Sequence, residues 1–169
     1  MTRNDPVLAE KVCLALVAEG PTHGWALSTE LAPDGEIGRI WSVSRPLTYR
    51  ALDQLAVDGL IAKVGTAPGG GRSRTLLDVT VRGREANAAW LAEPVVLPRD
   101  VRSELLLKFA LRTRVGLSLT SLAHDQRETF APLLGGLSSV DESDFVALWR
   151  REHLLAIDRF LELLEQTNI

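Results

Sequence analysis

The sequence predicts a mainly α-helical protein in two parts: three helices, a two-stranded hairpin and a linking helix, then a segment built of helices alone. Three observations predict it. Apolar residues recur at helical spacing in the first and third helices of the N-terminal half. Between the third and the linking helix lie two short strand-like runs, joined by a loop too rich in glycine for anything but a hairpin tip. Past Glu93-Pro94 and Leu97-Pro98 the character changes to helical patterns throughout. The expected domains are residues 1–92 and 99–169.

The first helix spans residues 7–19, with Val7, Leu8, Val12, Ala15 and Leu16 on a recurring face, and Gly20-Pro21 stops it. Thr22 is placed to cap a second helix reaching Ala32, which Pro33-Asp34-Gly35 breaks. Residues 37–43 are short and carry β-branched and aromatic side chains, as a small strand or an extended connection would. Ser44 is the expected cap of the third helix. Pro46 fits its first turn, where a missing N–H costs nothing, and Asp58-Gly59 ends it. Strand-like runs at 60–65 and 74–80 flank the glycine loop, and Thr80 is the expected cap of a helix over 81–92.

Three further helices are expected, over 101–112, 119–137 and 142–166. Pro132 should kink the second of them.

Composition narrows the function. Of 169 residues 46% are hydrophobic, ample for a core, and no run of apolar residues is long enough to span a membrane. Glu10 and Lys11 interrupt the first apolar stretch, which makes poor signal-peptide material, so a cytoplasmic protein is expected. The single Cys13 excludes an internal disulfide and a cysteine-rich zinc site. His23, His124 and His153 are too scattered to suggest a metal site. No cofactor is expected. Net charge is −3, yet residues 39–84 hold eight basic residues against three acidic ones, whereas 93–169 hold nine against twelve. A basic block inside an acidic chain is an electrostatic footprint for nucleic acid, or a fluctuation on a solvated surface.

On a wheel of about 100° per residue, Leu47, Ala51, Leu52 and Leu55 of the third helix share one sector with Thr48 among them. Arg45, Tyr49, Arg50 and Asp53 point the other way. Two arginines and a tyrosine near a helix start suit the major groove, where arginine grips guanine in a bidentate way or holds a phosphate. Taken alone, the same face is an ordinary solvated one. The hairpin supplies the context. Arg72 and Arg74 stand at its tip and shoulder and Lys63 on the opposite strand, so a basic wing follows directly upon the helix. Glycines admit a phosphate close to the backbone and the cations neutralise it. A nucleotide-phosphate cradle is the rival reading, but no Gly-Lys-Ser/Thr follows and the loop opens into a strand. A hairpin tip without a ligand is the third. The candidate DNA contacts are therefore Ser44, Arg45, Thr48, Tyr49, Arg50, Lys63, Arg72 and Arg74.

The same residues resemble the PadR-like transcriptional regulators. Gly20-Pro21-Thr22-His23-Gly24-Trp25-Ala26-Leu27 is similar to the family's P-x-H-G-Y-x-L opening, with Trp25 in place of the tyrosine. Trp41 stands before Ser44 as the family's tryptophan stands before its recognition helix. Tyr49-Arg50-Ala51-Leu52-Asp53-Gln54-Leu55, closing at Asp58-Gly59-Leu60-Ile61, resembles L-Y-x-A-L-x-x-L-x-x-x-G-L-I, though Thr48 replaces the usual aliphatic residue. Gly70-Gly71-Arg72-Ser73-Arg74 and Asp78-Val79-Thr80-Val81-Arg82-Gly83-Arg84-Glu85 are similar to the wing and the helix after it. The match runs over residues 7–92. Leu105-Leu106-Leu107-Lys108-Phe109 and the last helix resemble the family's helical C-terminal domain more loosely.

The resemblance implies a winged helix-turn-helix, a homodimer held by its C-terminal helices, and a pseudo-palindromic operator in double-stranded DNA. Half-sites would lie about 34 Å apart or a multiple of it. It also implies a repressor, with release by a small aromatic effector in some members. The last helix is apolar on more than one side, and Trp149, Ile157, Phe160, Leu161 and Leu164 are its candidate dimer residues. Phe109, Phe145 and Trp149 are candidates for an effector pocket, with plain core or interface the alternative. Cys13 is expected to be an inert buried thiol. No Gly-x-Ser-x-Gly elbow or catalytic pair is present, so no enzyme is expected. The alternative to a DNA-binding regulator is a winged helix that binds protein.

Overall fold

The computed structural model describes residues 5–67, 73–136 and 143–167. The chain forms two compact units, Met1–Ala92 and Glu93–Ile169.

The first unit is a winged helix-turn-helix. Helix α1 (Pro6–Ala18) is its centre, capped by the Asp5 carboxylate, which accepts from the Val7 and Leu8 N–H groups. Eight of its residues are buried, from Leu8 to Val17, because α1 packs on several neighbours at once. Each large aliphatic side chain removed from water there contributes about 1.5–3 kcal/mol. Cys13 lies among them, fully buried, and burial followed by the Glu10 charge pushes its thiol up to about 12.

Helix α2 (Gly24–Glu30) begins one residue later than expected. His23, not Thr22, is its N-cap: Nδ1 accepts from the Ala26 N–H at 3.0 Å. Thr22 instead exchanges two backbone hydrogen bonds with Leu77, at 3.0 and 2.7 Å, which ties this segment to the hairpin. Residues 37–43 form no strand; 37–40 are turns and 41 a bend. The turns bury Ile37 completely, and Val43 N–H bonds the Leu31 carbonyl. Gly35 and Gly38 permit this packing, since a Cβ at either would collide with the carbonyls of Glu30 and Ala32 respectively.

Helix α3 (Arg45–Val57) buries Leu47, Thr48, Ala51, Leu52 and Leu55. Gly59 follows at φ +69°, a left-handed position that reverses the chain into β1 (Ile61–Ala67). Antiparallel β2 (Arg74–Val79) pairs with it from Ile61↔Val79 to Ala67↔Arg74, with a bulge between Lys63 and Gly65. Thr80 then closes the junction. Its hydroxyl bonds the Gly59 carbonyl at 2.8 Å and accepts from the Gly83 N–H at 3.1 Å as α4 (Val81–Ala92) begins.

The second unit is helical throughout its described residues. The expected helix over 101–112 is divided into a π turn at Val101–Leu105 and α5 (Leu106–Arg114), and a 3₁₀ turn at Pro98–Asp100 precedes it. Helix α6 (Leu119–Gly135) runs through Pro132; Leu137, the last residue expected in it, lies outside the described residues. Helix α7 (Phe145–Gln166) starts at Phe145 because the Asp144 carboxylate caps Val146 and Ala147.

The core gathers Val95, Val101, Leu105, Phe109, Leu122, Phe130, Ile157 and Leu161. Of the stretch expected to link the two domains, Val95 is buried in it. The buried Gln126 amide pairs with the Val95 backbone, and the buried Lys108 ammonium donates to the Glu93 carbonyl at 2.6 Å and pairs with Glu104 at 3.1 Å.

Candidate nucleic-acid interface

The outward face of α3 is set by what its inward face must bury. With Leu47, Ala51, Leu52 and Leu55 in the core, Arg45, Tyr49, Arg50 and Asp53 are exposed. Ser44 is exposed at the N-cap, and its hydroxyl makes no capping bond. Thr48 does not belong to this face. It is 0% exposed, and its hydroxyl donates to the Ser44 carbonyl at 3.2 Å, so its assignment as a DNA contact is withdrawn. Its place on the wheel among the leucines already points inward.

A cleft of about 360 Å³ separates the start of α2, the outer face of α3 and the root of the hairpin. His23, Trp25, Tyr49, Asp53, Lys63 and Arg74 are among its lining residues. It brings Tyr49 of α3, Lys63 of β1 and Arg74 of β2 together from three different elements. Arg72 and the glycine tip lie outside the described residues. Arg82 turns elsewhere, donating to the Asp58 carbonyl at 3.3 Å across the α3 terminus.

Two residues of this cleft were not candidates from the sequence. Trp25 is 46% exposed and carries the Arg74 guanidinium over its ring, 4.5 Å from the centroid. His23 Nε2 is 3.4 Å from the same guanidinium. Because Nδ1 accepts a backbone N–H, the neutral ring carries its proton on Nε2 and offers Arg74 no acceptor there. The indole is therefore what holds the arginine. The sequence signal for Trp25 was its place in the opening motif of α2; its pairing with Arg74, 49 residues away, carried none.

In the second unit the candidates separate. Phe109 is buried in the core with its ring edge-on to Phe160, 6.1 Å between centroids, and does not line the groove beside Trp149. Ile157 and Leu161 are likewise buried in their own protomer's core, and Phe160 and Leu164 pack partly buried against it. Phe160 and Leu164 thus keep part of their surface exposed, whereas Ile157 and Leu161 do not. Trp149 (65% exposed) and Phe145 (80% exposed) lie free of that core. Trp149 stacks on His153 at 5.0 Å and borders an apolar groove of about 630 Å³ with Val96, Leu97, Leu133 and Leu154; Phe145 does not line it. Among the described residues no group of histidine, cysteine and carboxylate side chains could hold a metal, and no helix is long and apolar enough to cross a membrane.

No family model matches the chain and no curated protein matches it. Among solved structures the chain is similar to Bacillus subtilis PadR in complex with operator DNA, with 22% identity, 93% of this chain and 97% of that one covered, and a TM-score of 0.48. It is similar to the same protein in complex with p-coumaric acid, with 20% identity, 95% and 96% covered, and a TM-score of 0.47. Bacillus subtilis PadR by itself aligns with 20% identity over 95% of each chain, at a TM-score of 0.47.

Proposed function

We propose that the protein is a sequence-specific DNA-binding transcriptional regulator of the PadR-like type. One observation carries the reading: the exposed start of α3 presents Arg45, Tyr49 and Arg50, and the cleft beside it joins Tyr49 to Lys63 and Arg74 of the wing strands. A helix start bearing two arginines enters the major groove, while wing cations meet phosphates on the flanking backbone. Ser44, at the exposed N-cap with an unused hydroxyl, completes the phosphate contacts. Arg72 belongs to the same wing.

The regulator acts as a homodimer and a repressor, released by a small aromatic effector. Support for self-association is the apolar surface of Phe145, Val146, Trp149 and Leu163 on α7, which the unit's own core leaves exposed. Support for an effector is the groove beside Trp149, whose volume falls in the range of small-molecule sites.

The test is selection of random duplex DNA by the purified protein at two salt concentrations. Recovery of an inverted repeat that persists at the higher salt is expected. A folded protein that enriches no duplex would transfer the reading to a winged helix that binds protein. Sedimentation of wild type and a Phe145→Asp/Trp149→Asp variant tests the dimer, which the double substitution should dissociate.

A further inference from the structure

We propose that Trp25 is a positioning residue for DNA binding: its indole holds Arg74 in the orientation in which the wing meets a phosphate. The inference rests on the DNA-binding reading and deepens it.

Arg74 opens β2 opposite Ala67, in the last described pair before the hairpin tip. An arginine there would ordinarily be a long, free side chain sampling many rotamers. Here its guanidinium lies over Trp25, and the segment that carries Trp25 is tied to the same strand a second time, by the paired Thr22 and Leu77 backbones. One short stretch, 22–25, thus grips β2 through its backbone at Leu77 and through a side chain at Arg74. The His23 ring adds packing but no hydrogen bond, since its Nδ1 is committed to the Ala26 N–H.

Stacking uses the face of a guanidinium and leaves the N–H groups in its plane free to donate. A phosphate takes those donors in a fork. The arrangement therefore does not compete with phosphate binding. It lowers the entropy that Arg74 loses on contact, and it aims the fork into the cleft that Tyr49 and Lys63 also line. Trp25 needs no contact with DNA to do this.

The experiment is titration of a mixed-sequence duplex against wild type, Trp25→Ala, Trp25→Phe, Arg74→Ala and the Trp25→Ala/Arg74→Ala double variant across a salt series. Nuclear Overhauser contacts between the Arg74 side chain and the Trp25 indole are recorded in the DNA-free protein. Arg74→Ala should reduce the salt slope by about 0.9, the value of one phosphate. Trp25→Ala should weaken binding roughly two- to fivefold with the slope kept, because the cation remains but is no longer held. Trp25→Phe should recover most of the loss, and the double variant should bind no more weakly than Arg74→Ala. Losses that multiply in the double variant would overturn the proposal, since Trp25 would then act without Arg74. Absence of the Overhauser contacts would overturn it as well. Contacts present in a wild-type protein that binds no duplex would instead sink the DNA-binding reading, and with it the phosphate role of the pair.

Discussion

The ring of Tyr49 lies against the backbone of Gly24, so closely that a Cβ on residue 24 would sit 2.7 Å from the ring's Cε1. Tyr49 is on the outer face of α3 and 43% exposed, and Gly24 is the first residue of α2. The missing side chain of one helix therefore decides where an interface side chain of the other can rest. Gly24→Ala should push Tyr49 outward. The Tyr49→Ala exchange removes the collision, so the two substitutions should be coupled by about 0.5–3 kcal/mol in a thermal-unfolding cycle. Additive effects would show that the ring does not rest on residue 24.

Arg45 and Arg50 should differ from Thr48 in what their removal costs. Arg50→Ala should lower affinity for the selected operator by about 1–3 kcal/mol and relax preference at one base pair if it meets a base. If it meets a phosphate, binding should weaken on all duplexes and the salt slope should fall by about 0.9. The same alternatives apply to Arg45→Ala. Thr48→Val should cost stability only, about 0.5–1.5 kcal/mol for the lost bond to the Ser44 carbonyl. A drop in operator affinity for Thr48→Val with stability unchanged would return that residue to the interface.

Gln126 anchors the start of the second unit. Its Nε2 donates to the Val95 carbonyl at 2.9 Å and its Oε1 accepts the Val95 N–H at 2.7 Å, all of it buried. Gln126→Leu keeps the apolar bulk but leaves both backbone groups without partners. Each such orphan costs about 1–3 kcal/mol, so denaturant unfolding of this unit should show a loss of about 2–6 kcal/mol. Near-neutral stability would mean that water replaces the amide.

Cys13 predicts a dependence on alkaline pH. Its ordinary thiol value is 9.0, and the folded chain raises it to about 12. Between these values the native state holds a proton that the unfolded state has lost, so stability is full below about 9 and falls as pH rises. The slope attributable to Cys13 is at most about 1.4 kcal/mol per pH unit. Cys13→Ala should lack this component, which the difference between the two unfolding curves from pH 8 to 11 isolates. Equal slopes would place the thiol in contact with water.

Much of the architecture was legible because it is written locally. Helices α1 and α3 follow apolar spacing that a dozen residues contain, and α4 follows the cap at Thr80. The turns at Gly20-Pro21 and Asp58-Gly59 need only residues that favour them. The inward set of α3 and the outward Arg45, Tyr49 and Arg50 come from the same wheel, because a helix that buries one stripe exposes the opposite one.

What the tertiary structure alone decided are the meetings between distant residues. Nothing near Thr22 announces that its backbone pairs with Leu77 and so leaves the capping of α2 to His23. The run 37–43 has the composition of a strand, but it has no strand beside it to complete its hydrogen bonds, and it folds into turns that send Ile37 to the core. In α7, apolar spacing marks Ile157, Leu161, Phe160 and Leu164 as buried without saying against what; α5 and α6 of the same chain claim them, and Trp149 is left outside. Periodicity reports how much surface an element must cover. Which partner covers it, as Trp25 covers Arg74, is settled only when elements far apart in sequence compete for the same space.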